Sequence, residues 1–169
     1  MKWFYPRADA VVAISKEGAQ DLANILGWPV HRINVIYNPT YDNSIMEKAR
    51  EPLNHPWFKS RKYPIILGAG RLTRQKDFTT LIKAFALIRK QLESKLVILG
   101  DGEERVKLSN LIDKLGLNKD VDLPGFTDNP YKYMARASIF VLSSLYEGLG
   151  NVCLLYTSPS PRDLSTSRM

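Results

Sequence analysis

The sequence predicts a doubly wound α/β fold on parallel strands, and three observations carry this. Short apolar runs recur, and they are continuous rather than alternating, as in strands covered on both faces. Each run ends at a small, polar or glycine-containing loop. Amphipathic helical patterns follow, and strand-helix alternation implies right-handed crossovers in a parallel sheet.

The elements follow in chain order. Asp9-Ala10-Val11-Val12-Ala13-Ile14 reads as a strand ending at Ser15. Ser15 can cap a helix with Ala19, Leu22, Ala23 and Leu26 on one face, closed by Gly27. Ile33-Asn34-Val35-Ile36-Tyr37 is a strand stopped by the turn dipeptide Asn38-Pro39. Residues 41–61 show no clear period and hold Pro52 and Pro56, so 43–62 reads as a linker between domains at 1–42 and 63–152. Tyr63-Pro64-Ile65-Ile66-Leu67 ends at Gly68-Ala69-Gly70. Asp77 caps a helix whose stripe is Phe78, Leu81, Ile82, Phe85, Ile88 and Leu92. Lys95-Leu96-Val97-Ile98-Leu99 ends at Gly100-Asp101-Gly102, and Leu108, Leu111, Ile112 and Leu115 form a helix stopped by Gly116. A shorter helix starts at Asp128-Asn129-Pro130, with proline just inside it. Ser138-Ile139-Phe140-Val141-Leu142 ends at Ser143-Ser144. Trp3, Trp28 and Trp57 read as core or domain-packing residues.

Composition narrows the function. The chain has 169 residues, 44% hydrophobic and 24% charged, enough for a sizeable core. No apolar run approaches the ~20 residues of a membrane span. The opening Met1-Lys2-Trp3-Phe4-Tyr5-Pro6 does not read as a signal peptide, which fits a cytoplasmic chain. A lone Cys153 excludes an internal disulfide and a cysteine-based zinc site, and His31 and His55 are too few for a histidine cluster. The net charge of +7 suits an anionic partner. From Cys153 to Met169 the composition turns to Ser, Thr, Pro and Arg. Cys153-Leu154-Leu155-Tyr156-Thr157-Ser158 can be encoded by a transposon adapter used in sequencing libraries, so 153–169 reads as a non-native tail.

The polar loops carry the chemistry, because open α/β sheets bind ligands outside the carboxyl ends of their strands. In the first, Gly68 and Gly70 can let backbone N–H groups approach a ligand. Arg71, Arg74 and Lys76 supply cations, and a helix N-terminus follows. This suits a phosphate or diphosphate; a tight turn with solvated cations is the alternative. Thr73 stands where a dinucleotide fingerprint needs its third glycine, Asp101 is too distant for its acid, and no Walker lysine is present. Gly100-Asp101-Gly102-Glu103-Glu104 reads first as a turn and an acidic helix start, second as room for a ligand. In the last loop, Gly148 and Gly150 around Leu149 can aim amides at an anion. Glu147 there can accept hydrogen bonds from sugar hydroxyls, or be an exposed helix-start residue. Together the loops suit a phosphorylated polyhydroxyl ligand such as a sugar nucleotide.

Gly70-Arg71-Leu72 with Gln75-Lys76-Asp77, Leu99-Gly100-Asp101-Gly102, Gly125-Phe126 and Tyr146-Glu147-Gly148-Leu149-Gly150-Asn151-Val152 resemble the GT-B glycosyltransferases of family 4. The resemblance spans about residues 5–152. It includes 8–15 and 35–39, which look like the end of the family's N-terminal acceptor domain. It implies a Rossmann-like parallel sheet, mostly of the C-terminal donor domain. It also implies retaining transfer of a sugar from a UDP- or GDP-sugar to an acceptor hydroxyl, in bacterial polysaccharide or glycolipid synthesis. By residue matching, Arg71 and Lys76 grip the diphosphate beside Gly70, and Glu147 is the catalytic-side carboxylate on the donor sugar. Gly148, Leu149, Gly150 and Asn151 bind donor sugar or phosphates, and the Leu123-Pro124-Gly125-Phe126 loop lies near the nucleobase. The family needs no metal, and none is expected here. The implied partners are a nucleotide-sugar and a sugar or lipid-linked acceptor, with peripheral contact at the inner membrane face and no nucleic acid.

The departures from the family pattern matter. The family's second glutamate, eight positions after the first, is here Leu155. The final strands, the closing helix and most of the acceptor domain also have no counterpart, so the chain reads as a central slice of an enzyme. The competing readings fare less well. A Rossmann-like nucleotide-binding module without transferase activity, such as a dehydrogenase, predicts glycine at position 73. A basic nucleic-acid or membrane domain predicts clustered Lys and Arg, which here are scattered. The chain is expected to have no transferase turnover by itself, and sugar transfer measured with these 169 residues alone would refute that.

Overall fold

A computed structural model describes residues 3–37, 44–60 and 62–147. Among these, residues 3–37 and Glu147 form one compact unit, and residues 44–60 with 62–146 form a second.

The first unit is built from β1 (Val11–Ala13), α1 (Lys16–Leu26) and β2 (Ile33–Val35). The strands are parallel, with Val11 opposite Ile33 and Ala13 opposite Val35. Ser15 Oγ accepts from the Gly18 N–H at 2.9 Å, and Gly27 closes α1 at φ 68°. Ala19 and Ala23 are buried against Val11 and Ile33, so small side chains let the helix lie close on the strand pair. Both strands are shorter than their apolar runs, and Ile14 and Ile36 are exposed. Trp28 is partly buried beneath the Arg32 guanidinium, 4.3 Å from its ring centre. Trp3 is not a core residue: it is 77% exposed.

The second unit holds β3 (Ile65–Ala69), α4 (Phe78–Arg89), β4 (Lys95–Leu99), α5 (Arg105–Lys114), β5 (Val121–Gly125), α6 (Tyr131–Met134) and β6 (Ile139–Phe140). All four strands run parallel in the order β5-β4-β3-β6. Alternate residues of one strand feed two cores. Ile66, Leu96 and Ile98 pack with Phe78, Leu81, Ile82 and Phe85 of α4 and Leu108 and Ile112 of α5. Ile65, Leu67, Val97 and Leu99 pack with Phe58, Met134 and Ala137 on the other face. This double covering is why the runs are continuously apolar. The stripe of α4 stops at Phe85: Ile88 is exposed, and Leu92 lies past the helix end and is also exposed. Leu115, just past α5, is likewise exposed.

Two features differ from the sequence reading. Residues 121–125 form a strand that has no continuous apolar run, and Pro124 is tolerated because β5 is an edge. The segment 43–62 carries two short helices, α2 (Ser44–Arg50) and α3 (Pro56–Ser60), with Ile45, Ala49 and Phe58 buried. Helices this short show no legible period; partners in the second unit hold them. Asn129 Nδ2 donates to Lys48 O at 2.9 Å and Glu51 Oε2 at 2.8 Å. Arg136 donates to Ala49 O and Glu51 O, each at 3.0 Å, and so satisfies carbonyls at the end of α2. Asn129 Oδ1 also accepts from the Tyr131 N–H at 3.1 Å, which starts α6. His55 is buried, and its Nδ1 accepts from the Trp57 N–H at 3.3 Å. The proton therefore sits on Nε2, which donates to Asp122 Oδ2 at 3.0 Å. The Trp57, Phe58 and Tyr133 rings pack edge-on around the imidazole.

At the far end of the sheet, Asp120 joins three elements. Lys95 Nζ donates to its Oδ1 at 2.7 Å, and Arg89 Nε is 3.0 Å from its Oδ2. Burial pushes the Asp120 carboxyl upward, but hydrogen bonding and charge from Lys95 and Arg89 outweigh this and hold it below the usual carboxylate range. Its contribution is then complete above the ordinary aspartate value of about 3.9 and is lost as pH falls through the depressed value. Asp120→Asn is expected to cost about 2 kcal/mol at neutral pH, read by urea unfolding, with the gap from the parent chain closing below about pH 4. A gap that stays constant from neutral to acid pH contradicts this.

Candidate functional site

The chain runs β3, β4, β5 in one direction across the sheet, then crosses back to place β6 on the other side of β3. Strand order therefore reverses between β3 and β6. Open α/β sheets bind ligands outside the carboxyl ends of their strands, where the loops after β3, β4, β5 and β6 emerge.

The loop after β3 is tightly held. Leu72 is fully buried, Arg74–Lys76 form a 3₁₀ turn, and Asp77 takes a left-handed conformation at φ 44°. Asp77 caps α4: it accepts from the Thr80 N–H at 3.3 Å and the Thr80 hydroxyl at 2.7 Å. The loop after β6 runs alongside. The Leu145 N–H donates to Gln75 O at 2.8 Å, Gln75 Nε2 donates to Tyr146 O at 3.0 Å, and the Ser143 hydroxyl donates to Lys76 O at 2.7 Å. Two sequence-distant polar loops are thus paired along the backbone of Gln75 and Lys76.

The glycines divide by role. A Cβ on Gly68 would stand 3.1 Å from both Phe78 and Leu81, so Gly68 serves the packing of α4 on β3 rather than ligand approach. A Cβ on Gly70 would meet the Lys76 methylenes from 3.2 Å, so the lysine stem lies across Gly70. Gly100 and Gly102 also make room for the neighbouring loop, besides the turn in which the Arg105 N–H donates to Gly102 O at 3.1 Å. A Cβ on Gly100 would fall 1.9 Å from Gly70 O, and one on Gly102 2.5 Å from Leu72 O. The loops after β3 and β4 cross here backbone to backbone. The Gly70 N–H donates to Leu99 O at 3.0 Å, Leu72 N–H to Asp101 O at 2.9 Å, and Glu104 N–H to Leu72 O at 3.0 Å. The acidic residues sit before α5, whose first turn has none; Glu104 is its cap position without a side-chain cap bond.

A cavity of about 400 Å³ lies at these strand ends. Its walls include Gly70 and Arg71 after β3, Gly100 and Asp101 after β4, and Phe126 and Thr127 after β5. Arg71 is solvent-exposed on this wall, and Phe126 is 76% exposed beside it. Gly70 and Arg71 are thus brought together, with Lys76 packed on Gly70. Glu147 groups with the first unit. Gly148, Leu149, Gly150, Asn151 and the suspected tail at 153–169 lie outside the described residues. Asp101, Thr127 and Pro130 also line the cavity, and sequence reasoning missed them as site residues. The signal that could have found Thr127 and Pro130 was β5 itself, hidden by its Pro-Gly end.

The sequence profile of the glycosyl transferases group 1 matches residues 50–155. The chain belongs to this family. It is similar to the N-acetylgalactosamine-N,N'-diacetylbacillosaminyl-diphospho-undecaprenol 4-alpha-N-acetylgalactosaminyltransferase of Campylobacter jejuni, at 37% identity over 150 residues. That match covers 89% of this chain and 39% of the relative, so the chain spans about two fifths of that curated relative's length. S. aureus TarM, solved with Fondaparinux, alpha-GlcNAc-glycerol and UDP, superposes with a TM-score of 0.70 at 22% identity, over 90% of this chain and 29% of TarM. Anabaena Alr3699/HepE, solved with UDP-glucose, superposes with a TM-score of 0.70 at 24% identity, over 88% of this chain and 42% of that one. At such identities the likeness is one of fold, and the fold of this group 1 chain is that of the GT-B glycosyltransferases.

The backbone crossing generates a paired test. Gly100→Ala forces atoms into overlap and is expected to cost at least about 3 kcal/mol in thermal or urea unfolding. Gly116→Ala, at φ 67° with open space around it, is expected to cost only about 1 kcal/mol. Equal costs would mean that the crossing is not a tight constraint.

Proposed function

We propose that this chain is the donor-binding part of a group 1 glycosyltransferase, one that moves a sugar with retention from a UDP- or GDP-sugar to an acceptor hydroxyl. The observation that carries the reading is the cavity walled by Gly70 and Arg71 at the carboxyl ends of β3, β4 and β5. The UDP and UDP-glucose held by the two structural relatives support a nucleotide-sugar as its occupant.

In this reading Arg71 and Lys76 meet the donor diphosphate. As the sugar leaves, negative charge grows on the nucleotide, and two cations lower the energy of that transition state more than that of the bound donor. A guanidinium suits the task because its fork matches phosphate oxygens in pairs. The cations do this work, so the reading calls for no metal. Phe126 offers an exposed ring face to the base. Glu147 accepts hydrogen bonds from the donor sugar, and Gly148, Leu149, Gly150 and Asn151 contribute beside it.

The wider role is polysaccharide or glycolipid synthesis, and the lipid-diphosphate acceptor in the Campylobacter relative's name favours a lipid-linked acceptor at the inner membrane face. Peripheral contact with that face is part of this reading, and among the described residues no helix is long and apolar enough to cross a membrane. By itself the chain binds without turning over.

Titration with UDP, GDP, NAD and duplex DNA separates the readings. A nucleoside diphosphate is expected to bind best, and Arg71→Ala to weaken it at least about tenfold, the loss of one charge-assisted contact. Tighter binding of NAD or DNA, or unchanged binding by Arg71→Ala, overturns the assignment.

A further inference from the structure

Arg105 opens α5, but its side chain serves β5. Its Nη2 donates to Leu123 O at 2.8 Å. Its Nη1 is buried with no hydrogen-bond partner, 3.9 Å from Asp101 Oδ1 and 3.9 Å from where a Cβ on Gly125 would stand.

The accepted carbonyl lies where β5 loses register. Val97 is opposite Asp122, but Leu99 is opposite Gly125, so β5 carries an extra residue in a bulge at Leu123 and Pro124. Pro124 has no N–H for a ladder bond, and among the described residues no strand pairs with the outer side of β5. Gly125 follows at φ 93°, and then come Phe126 and Thr127 on the cavity wall. The base of Arg105 is equally tied. Its neighbour Glu104 donates to Leu72 O, and Leu72 donates to Asp101 O. One guanidinium therefore links the crossed loops after β3 and β4 to the bulge that leads into the third wall.

We propose that Arg105 is a positioning residue of the cavity: by holding the Leu123–Pro124 bulge it sets where Phe126 and Thr127 stand relative to Gly70 and Arg71. The bond is charge-assisted and stronger than a neutral one, which suits an edge segment with few ladder bonds. The guanidinium can bond Leu123 O through one nitrogen while the other faces Asp101. A lysine ammonium can keep the first contact but not the full fork. The use of this positioning, to hold a nucleotide donor, rests on the function proposed above.

Hydrogen exchange on the full chain tests the inference. The Gly100 N–H donates to Gly125 O at 2.8 Å just past the bulge, and the Leu96 N–H donates to Asp120 O at 2.9 Å at the far end of the same seam. In Arg105→Met, protection at Gly100 is expected to fall at least about tenfold while Leu96 and the α4 amides keep theirs, and Arg105→Lys is expected to restore most of it. UDP affinity is expected to follow the Gly100 protection rather than the melting temperature. Unchanged protection at Gly100, or an equal loss at Gly100, Leu96 and α4, overturns the positioning role. If Arg105→Met does not fold, Arg105→Gln carries the same comparison. If the parent chain binds no UDP, the donor reading fails in this chain, while the exchange pattern still decides the role of Arg105.

Discussion

The cavity depends on a backbone crossing that leaves no room for a side chain. Gly100 meets the Gly70 carbonyl, and Gly102 meets that of Leu72, at distances no Cβ could occupy. Backbone hydrogen bonds from Gly70 to Leu99 and from Leu72 to Asp101 then lock the two loops. Those bonds set where Arg71 leaves the sheet. The glycines thus act at one remove: they let one loop brace another.

Support for this crossing comes from both faces of β3 and β4. The α4–α5 layer covers one face, and α3 with α6 covers the other. Gly68 lets Phe78 and Leu81 press on β3, and Leu72, fully buried, pins the loop that carries Arg71. The same helix α4 presents its capped N-terminus to the loop after β6 through Gln75 and Lys76. Packing, capping and loop pairing therefore converge on the ten residues between Gly68 and Asp77.

The edge of the sheet is organised by polar side chains instead. His55 bonds Asp122, Asn129 and Arg136 hold the end of α2, and Arg105 reaches Leu123. Each of these joins residues far apart in the chain, except Arg105, which lies within 18 positions of its partner. Backbone carbonyls taken out of water are costly unless satisfied, and three of the four side chains serve carbonyls that a proline, a bulge or a helix end leaves in need of a donor.

Local chemistry determined what was legible in the sequence alone. Ser15 and Asp77 cap helices because a hydroxyl or carboxylate beside an amide acts over three residues. Gly27 and Gly116 end helices because they accept positive φ. The runs at Ile65 and Lys95 read as buried strands because both faces are covered. The position of Arg71 at a strand end followed from the same pattern. Tertiary structure decided the rest. The strand at Val121, the helices at Ser44 and Pro56, the crossing at Gly100 and the exposure of Trp3 depend on neighbours distant in sequence. A short edge strand or a two-turn helix gains too little from its own residues to leave a period, and a glycine shows only that space is needed, whereas the fold alone says whether a helix, another loop or a ligand fills it.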